Sequence, residues 1–111
     1  MTTMPARSLL LTSQHLLAIE DVSTAEIKAL LELADTYVAQ GASLPKYEPL
    51  LAGQTQVNLF FEASTRTQSS FEIAGKRLGA DVINMAVATS ALSKGETVLD
   101  TAMTINAMRP N

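Results

Sequence analysis

Hydrophobic and polar positions along the chain change period several times, and each change predicts an element. Residues 56–61 are bulky and β-prone, which predicts a strand. Small polar residues follow at 63–67, and a helix is then predicted from apolar residues at i, i+3 and i+7 on one face. These apolar residues are Phe71, Ala74 and Leu78. Residues 80–87 again read as a strand, so the segment predicts a βαβ unit with parallel strands and a right-handed crossover.

Two further helices are predicted from their start signals. Ser23 and Glu26 form a capping box ahead of an apolar stripe that Gly41 ends. Ser93 and Glu96 form a second such box before the last helix. The expected fold class is therefore α/β, a parallel sheet with flanking helices.

Polar clusters follow both predicted strands, at residues 63–67 and 88–95. The carboxyl ends of parallel strands share one edge of a sheet, and α/β sheets bind ligands there. We therefore expect the two clusters to open toward the same edge.

The first cluster has the composition of an oxyanion site. Ser64, Thr65 and Thr67 supply hydroxyl donors, and Arg66 supplies a planar cation suited to phosphate or carboxylate. Free N–H groups at a helix start add partial positive charge. The alternative is that these hydroxyls only cap the helix, with Thr65 and Gln68 as a capping box. A cation in the first turn opposes the helix dipole, which favours the anion site, but both interpretations stay open.

Composition excludes several other classes. The chain has 111 residues, 47% of them hydrophobic and 17% charged, which is typical of a soluble globular protein. A net charge of −3 and 5% aromatic residues argue against nucleic-acid binding. No apolar run is long enough to span a membrane. The chain has no cysteine and one histidine, His15, so we expect no metal site and a reducing, cytoplasmic location.

A family resemblance appears at the first cluster. The segment Phe61-Glu-Ala-Ser-Thr-Arg-Thr67, followed by Ser70-Phe-Glu72, resembles the carbamoyl-phosphate signature of the transcarbamylases, the aspartate and ornithine carbamoyltransferases. The chain departs from it at Gln68, where the family often has a second arginine.

The second cluster distinguishes between the two branches of that family. Lys94 by itself reads as a solvated loop lysine. Together with Ser90 and the following Gly95-Glu-Thr97, however, it resembles the loop that aspartate carbamoyltransferases extend into a neighbouring subunit's site. Ornithine relatives usually carry another pattern before the Gly-Glu, so the resemblance favours aspartate.

The resemblance implies a function and a set of roles. The reaction would transfer the carbamoyl group of carbamoyl phosphate to L-aspartate, in pyrimidine biosynthesis, in a homotrimer with shared active sites and without metal or cofactor. A regulatory chain or a dihydroorotase are further partners known in the family. Carbamoyl phosphate would be bound by Ser64, Thr65, Arg66, Thr67 and Ser90. Lys94 would bind aspartate, and the catalytic residues would be Arg66, Thr67 and Lys94.

The resemblance covers essentially all 111 residues but only the first part of a longer enzyme. We therefore expect residues 1–111 to be part of a carbamoyl-phosphate-binding domain, without the aspartate-binding domain, and to be inactive alone. Two alternatives remain open. One is an ornithine or other amino-acid carbamoyltransferase, and the other is a non-catalytic, phosphate-binding assembly fragment.

Overall fold

The computed structural model of the chain describes residues 11–41, 49–61, 64–86 and 97–111. The chain divides into two compact units, Met1–Lys46 and Tyr47–Asn111. Among the described residues, no helix combines the length and hydrophobicity needed to span a bilayer.

The first unit is built around one helix. A short 3-10 helix at Ile19–Asp21 precedes helix α1, Thr24–Gln40. Ser23 caps α1: its hydroxyl oxygen accepts from the Glu26 N–H at 3.1 Å, and the Glu26 carboxylate accepts from the Ser23 N–H at 3.0 Å. The predicted capping box is confirmed, and α1 ends at Gly41 as expected.

The second unit contains the predicted βαβ segment. Its elements are β1 (Thr55–Phe60), α2 (Thr65–Arg77), β2 (Asp81–Ala86) and α3 (Val98–Ala107). The two strands pair in parallel, with Thr55 opposite Asp81 and Phe60 opposite Ala86. The α/β class and the parallel pairing are therefore confirmed, with strand bounds moved by about one residue, the usual uncertainty of such assignments.

The predicted helix after the polar turn is confirmed as α2. Of its apolar stripe, Phe71 is 55% exposed and Ala74 is exposed, whereas Leu78 is partly buried. The helix meets the sheet at the buried Gly75, which lies against Gln56 and Val82. The Phe71 ring packs instead beside Phe60, with ring centroids 5.7 Å apart.

Helix α3 begins at a capping box of its own. Thr97 is its N-cap, and its hydroxyl accepts from the Asp100 N–H at 3.0 Å while the Asp100 carboxylate accepts from the Thr97 N–H at 3.2 Å. The predicted capping box of Ser93 and Glu96 lies outside the described residues. Thr97 and Asp100 supply the capping-box spacing at the observed start of α3.

The chain returns to β1 after α3. Arg109 adopts the left-handed conformation, with φ at 55°, as helix-terminating residues often do. Asn111 then donates its N–H to the Thr55 carbonyl at 2.9 Å, and its side-chain oxygen accepts from the Thr55 N–H at 3.0 Å. These two bonds tie the last described residue to the start of β1.

A methyl group at Gly75 tests how closely α2 approaches the sheet. A Cβ there would meet Val82 Cγ2 at 2.8 Å and Gln56 Cδ at 2.9 Å, and would also clash with Gln56 Oε1. We expect Gly75→Ala to lower the free energy of unfolding by about 1–3 kcal/mol through overpacking. In an uncrowded helix the same change stabilises by about 1 kcal/mol. Urea unfolding followed by circular dichroism measures the difference. Ala74→Gly, on the exposed face, is the control and should lower the free energy of unfolding only by the difference in helix propensity between alanine and glycine. A Gly75→Ala variant that is more stable than wild type would contradict the close approach of α2 to the sheet.

The capping carboxylate of α1 should make stability depend on pH. Hydrogen bonds from the Ser23 backbone, and next from the Thr12 backbone, hold the pKa of Glu26 below its ordinary value of 4.5. The stabilisation is present above pH 4.5 and is lost as pH falls through the lower folded-state pKa. Glu26→Gln should therefore be less stable than wild type at pH 7, with the difference vanishing in acid, as urea unfolding at several pH values would show. Glu32→Gln is the control, since the Glu32 carboxylate has no hydrogen-bond partner among the described residues; equal pH dependence in both variants would refute the assignment.

Candidate functional site

The predicted anion site lies at the start of α2, just beyond the carboxyl end of β1. Ser64 is the N-cap, and its hydroxyl oxygen accepts from the Thr67 N–H at 3.4 Å. The predicted Thr65–Gln68 capping box is wrong, because Thr65 is already the first helical residue and Thr67 stands in the third position. The short polar turn thus places four predicted residues within one helical turn.

Several donors in this turn remain available to a ligand. Within the described chain, the N–H groups of Thr65 and Arg66 have no recorded hydrogen-bond partner. The Ser64 hydroxyl donates to Thr67 Oγ1 at 3.0 Å, so the Thr67 hydroxyl proton is left to point elsewhere. Thr65, Arg66 and Thr67 are all exposed. Exposed N–H groups at a helix start form an anion-binding arrangement.

The charge at this turn differs from that of the other two helix starts. Glu26 occupies the first turn of α1 and Asp100 that of α3, whereas the first turn of α2 has no acidic residue. Asp100 is held ionised there, because hydrogen bonds from Thr97 lower the pKa of its carboxyl. The start of α2 instead carries Arg66, which forms no ion pair with any described residue. An anion that approached this turn would therefore complement both the dipole and the side-chain charge.

Other bonds stiffen the turn. The Ser64 carbonyl accepts the first helical bond, from Gln68 N–H at 3.0 Å. The Ser70 hydroxyl donates to the Arg66 carbonyl at 2.7 Å. Main-chain geometry around Arg66 is therefore held from both sides, while its guanidinium extends into solvent.

The two residues predicted in the second cluster, Ser90 and Lys94, lie outside the described residues. They follow β2, whose carboxyl end lies at the same sheet edge as that of β1 because the strands are parallel. Their roles stay predictions. Within the described ranges, no group of three or more histidine, aspartate or glutamate side chains could hold a metal ion.

Glu72 lies in the signature segment but has no predicted role. Glu72 accepts from the Asn84 side chain at 2.6 Å and pairs with Lys76 at 2.6 Å. The sequence carried a signal for this contact, since an asparagine stands within each strand, Asn58 in β1 and Asn84 in β2. Amides inside a strand need partners once they are buried.

Comparison with protein families identifies the chain's relatives. Residues 14–110 match the model of the aspartate/ornithine carbamoyltransferase, carbamoyl-P binding domain. The chain belongs to this family.

Curated relatives are more specific in name. The aspartate carbamoyltransferase catalytic subunit of Rhodopseudomonas palustris (strain BisB18) is 59% identical over 111 residues, which are 100% of this chain and 35% of the relative. That of Parvibaculum lavamentivorans is 62% identical over 98 residues, 88% of this chain and 30% of the relative. The chain thus spans about a third of the length of the curated relatives that it matches.

Solved structures show the same architecture. Aspartate transcarbamoylase from Trypanosoma cruzi, in complex with carbamoyl aspartate and phosphate, is 41% identical with a TM-score of 0.69, covering 79% of this chain and 28% of that one. The catalytic subunit of M. Jannaschii aspartate transcarbamoylase is 35% identical with a TM-score of 0.74, over 86% of this chain and 31% of that one. The fold class, part of the transcarbamylase fold, is confirmed.

Proposed function

We propose that this chain supplies the carbamoyl-phosphate-binding turn of an aspartate carbamoyltransferase. The enzyme would transfer the carbamoyl group to L-aspartate, giving N-carbamoyl-L-aspartate and phosphate for pyrimidine biosynthesis. The observation that carries the proposal is the start of α2, where exposed N–H donors and Arg66 meet without an acidic residue. Support comes from relatives named aspartate carbamoyltransferase and from a relative solved with carbamoyl phosphate and aspartate.

The turn suits a reaction in which the leaving group is an anion. The amine nitrogen of aspartate would attack the carbonyl carbon, the bond from that carbon to the phosphate oxygen would break, and phosphate would leave with the electron pair. The N–H groups of Thr65 and Arg66 would hold phosphate oxygens, and the guanidinium would neutralise the charge that builds on them. The Thr67 hydroxyl would donate to the carbonyl oxygen and polarise it. As the new C–N bond forms, the nitrogen loses a proton, which would pass to an oxygen of the departing phosphate.

The proposed turn mainly positions the substrate. No step of this reaction requires a covalent intermediate, so rate enhancement would come from orientation and from fixed donors aimed at developing charge. The Ser64 hydroxyl, which donates to Thr67, would have to rotate before it could donate to phosphate.

Ser90 and Lys94 complete the proposed site from a second copy of the chain. In this arrangement Ser90 would contact carbamoyl phosphate and Lys94 would contact aspartate. The proposal therefore includes a homotrimer with shared sites, formed by a longer chain of which residues 1–111 are part of the carbamoyl-phosphate-binding domain. The chain has no cysteine, which fits a reducing compartment, and we propose a cytoplasmic location for the enzyme.

Replacement of Arg66 tests the phosphate role. In a chimera that joins residues 1–111 to the remainder of the R. palustris catalytic subunit, Arg66→Ala should cost at least about 3 kcal/mol of transition-state stabilisation, as for a lost oxyanion donor. Steady-state kcat/KM for carbamoyl phosphate measures it. Arg77→Ala is the matched control, an arginine in the last turn of the same helix. Near-normal turnover of the Arg66 variant would refute the role, and a panel with ornithine in place of aspartate would identify the other branch.

Mixing two inactive variants tests the shared site. If Lys94 acts on a neighbouring subunit's substrate, hybrids of Arg66→Ala and Lys94→Ala chimeras should contain some sites with both residues intact. Mixed and reassembled trimers should then regain activity that neither parent has. A mixture of Arg66→Ala with the double variant is the control, because none of its sites is complete. Absence of regained activity in assembled hybrids would contradict the shared site.

A further inference from the structure

A chain of side-chain amides crosses the sheet beneath α2. Asn58 and Asn84 stand opposite each other in the parallel pairing, and Asn58 Nδ2 donates to Asn84 Oδ1 at 2.9 Å. Gln56, two residues before Asn58 and so on the same face, donates to Asn58 Oδ1 at 2.9 Å. The other end reaches α2, where Asn84 Nδ2 donates to the Glu72 carboxylate at 2.6 Å.

The Glu72 carboxylate determines the direction of every hydrogen bond along the amide chain. An ionised carboxylate only accepts hydrogen bonds, so Asn84 must present its NH₂ group to Glu72 and its oxygen to Asn58. Asn58 must then turn its oxygen to Gln56. The Gln56 NH₂ group uses its second proton on the Phe71 carbonyl of α2, at 3.0 Å. Every amide is thus oriented by one charge, and charge-assisted bonds of this kind are stronger than neutral ones.

The carboxylate stays ionised at neutral pH. The Lys76 ammonium, and next the Asn84 amide, lower the pKa of Glu72. The Glu72 side chain is 34% exposed and that of Lys76 is 58% exposed, so the ion pair lies on the outer side of the carboxylate. The amide chain runs from Glu72 through Asn84, which is exposed, to Asn58, which is 6% exposed.

The amide chain contacts α2 at two adjacent helix residues, and the two contacts come from different strands. Gln56 of β1 holds the Phe71 carbonyl, and Asn84 of β2 holds the Glu72 side chain. Gly75, one turn further along, lets the helix backbone come close enough for both bonds. Two contacts from separate strands restrict rotation of the helix about its axis and its sliding along the sheet.

We propose that Glu72 is a positioning residue for the anion-binding turn. Through Asn84, Asn58 and Gln56 it fixes how α2 sits on the sheet, and so where the Arg66 side chain and the first N–H groups of the helix meet phosphate. Glu72 lies six residues after Arg66, about 9 Å along the helix axis, so it acts without touching the ligand. This inference rests on the proposed function of that turn.

The test uses the chimera of residues 1–111 with the R. palustris remainder. Glu72→Ala removes the acceptor and should lower kcat/KM for carbamoyl phosphate at least about tenfold, since small misplacements of catalytic groups cost that much or more. It should weaken binding of inorganic phosphate by a similar factor. Glu72→Gln keeps an oxygen acceptor for Asn84 and should restore both values to within about threefold of wild type. Lys76→Met removes only the ion pair and should leave both values within about twofold.

A loss of activity caused by misfolding must be distinguished from one caused by a displaced helix. All assays are run at a temperature where circular dichroism shows each variant to be fully folded. If Glu72→Ala does not fold, Asn84→Ala replaces it, because that change breaks the amide chain and leaves the Glu72–Lys76 pair intact. A folded variant with normal kcat/KM and normal phosphate affinity, or a loss equal to that of Lys76→Met, would overturn the positioning role. An inactive wild-type chimera that forms trimers would instead refute the proposed function.

Discussion

Parallel pairing of β1 with β2 is the constraint on which the rest of the second unit depends. Two parallel strands cannot be joined by a tight turn, so the chain must cross back over the sheet, and α2 is that crossover. The helix consequently starts beyond the carboxyl end of β1. Its unpaired N–H groups, and the arginine among them, stand at the edge where α/β sheets bind ligands. The position of the turn proposed to bind an anion is thus a direct consequence of the topology.

The contact between α2 and the sheet is polar as well as close. Asn58 is buried, and its amide has partners on both sides. Burial of an amide without partners would destabilise the fold, whereas a fully paired chain confers a single orientation on the helix. Gly75 is part of the same arrangement, because any side chain there would push against Gln56 and Val82. Specific positioning of the helix therefore depends on these hydrogen bonds together with the close approach at Gly75.

The starts of α1, α2 and α3 differ in whether the chain itself supplies an anion to the first turn. In α1 and α3 the chain supplies its own anion: Glu26 and Asp100 complete capping boxes, and hydrogen bonds lower the pKa of both carboxyls. In α2 the corresponding third position is Thr67, and the acid is missing. The helix start that lacks an internal anion is the one in the family's signature segment, which is why we propose that it binds carbamoyl phosphate.

Sequence alone determined the α/β class, the two strands, the capping box of Ser23 and the grouping of Ser64 to Thr67, because these follow from local spacing and side-chain type. It did not determine which face of α2 meets the sheet, since Phe71 and Ala74 of the apolar stripe are both exposed. Helical periodicity identifies which residues share a face but not whether the opposing surface is apolar. Only the tertiary structure, by placing Asn58 opposite Asn84, showed that Glu72 and Gly75 occupy the contact, since the pairing of residues distant in sequence is set by the register of the sheet.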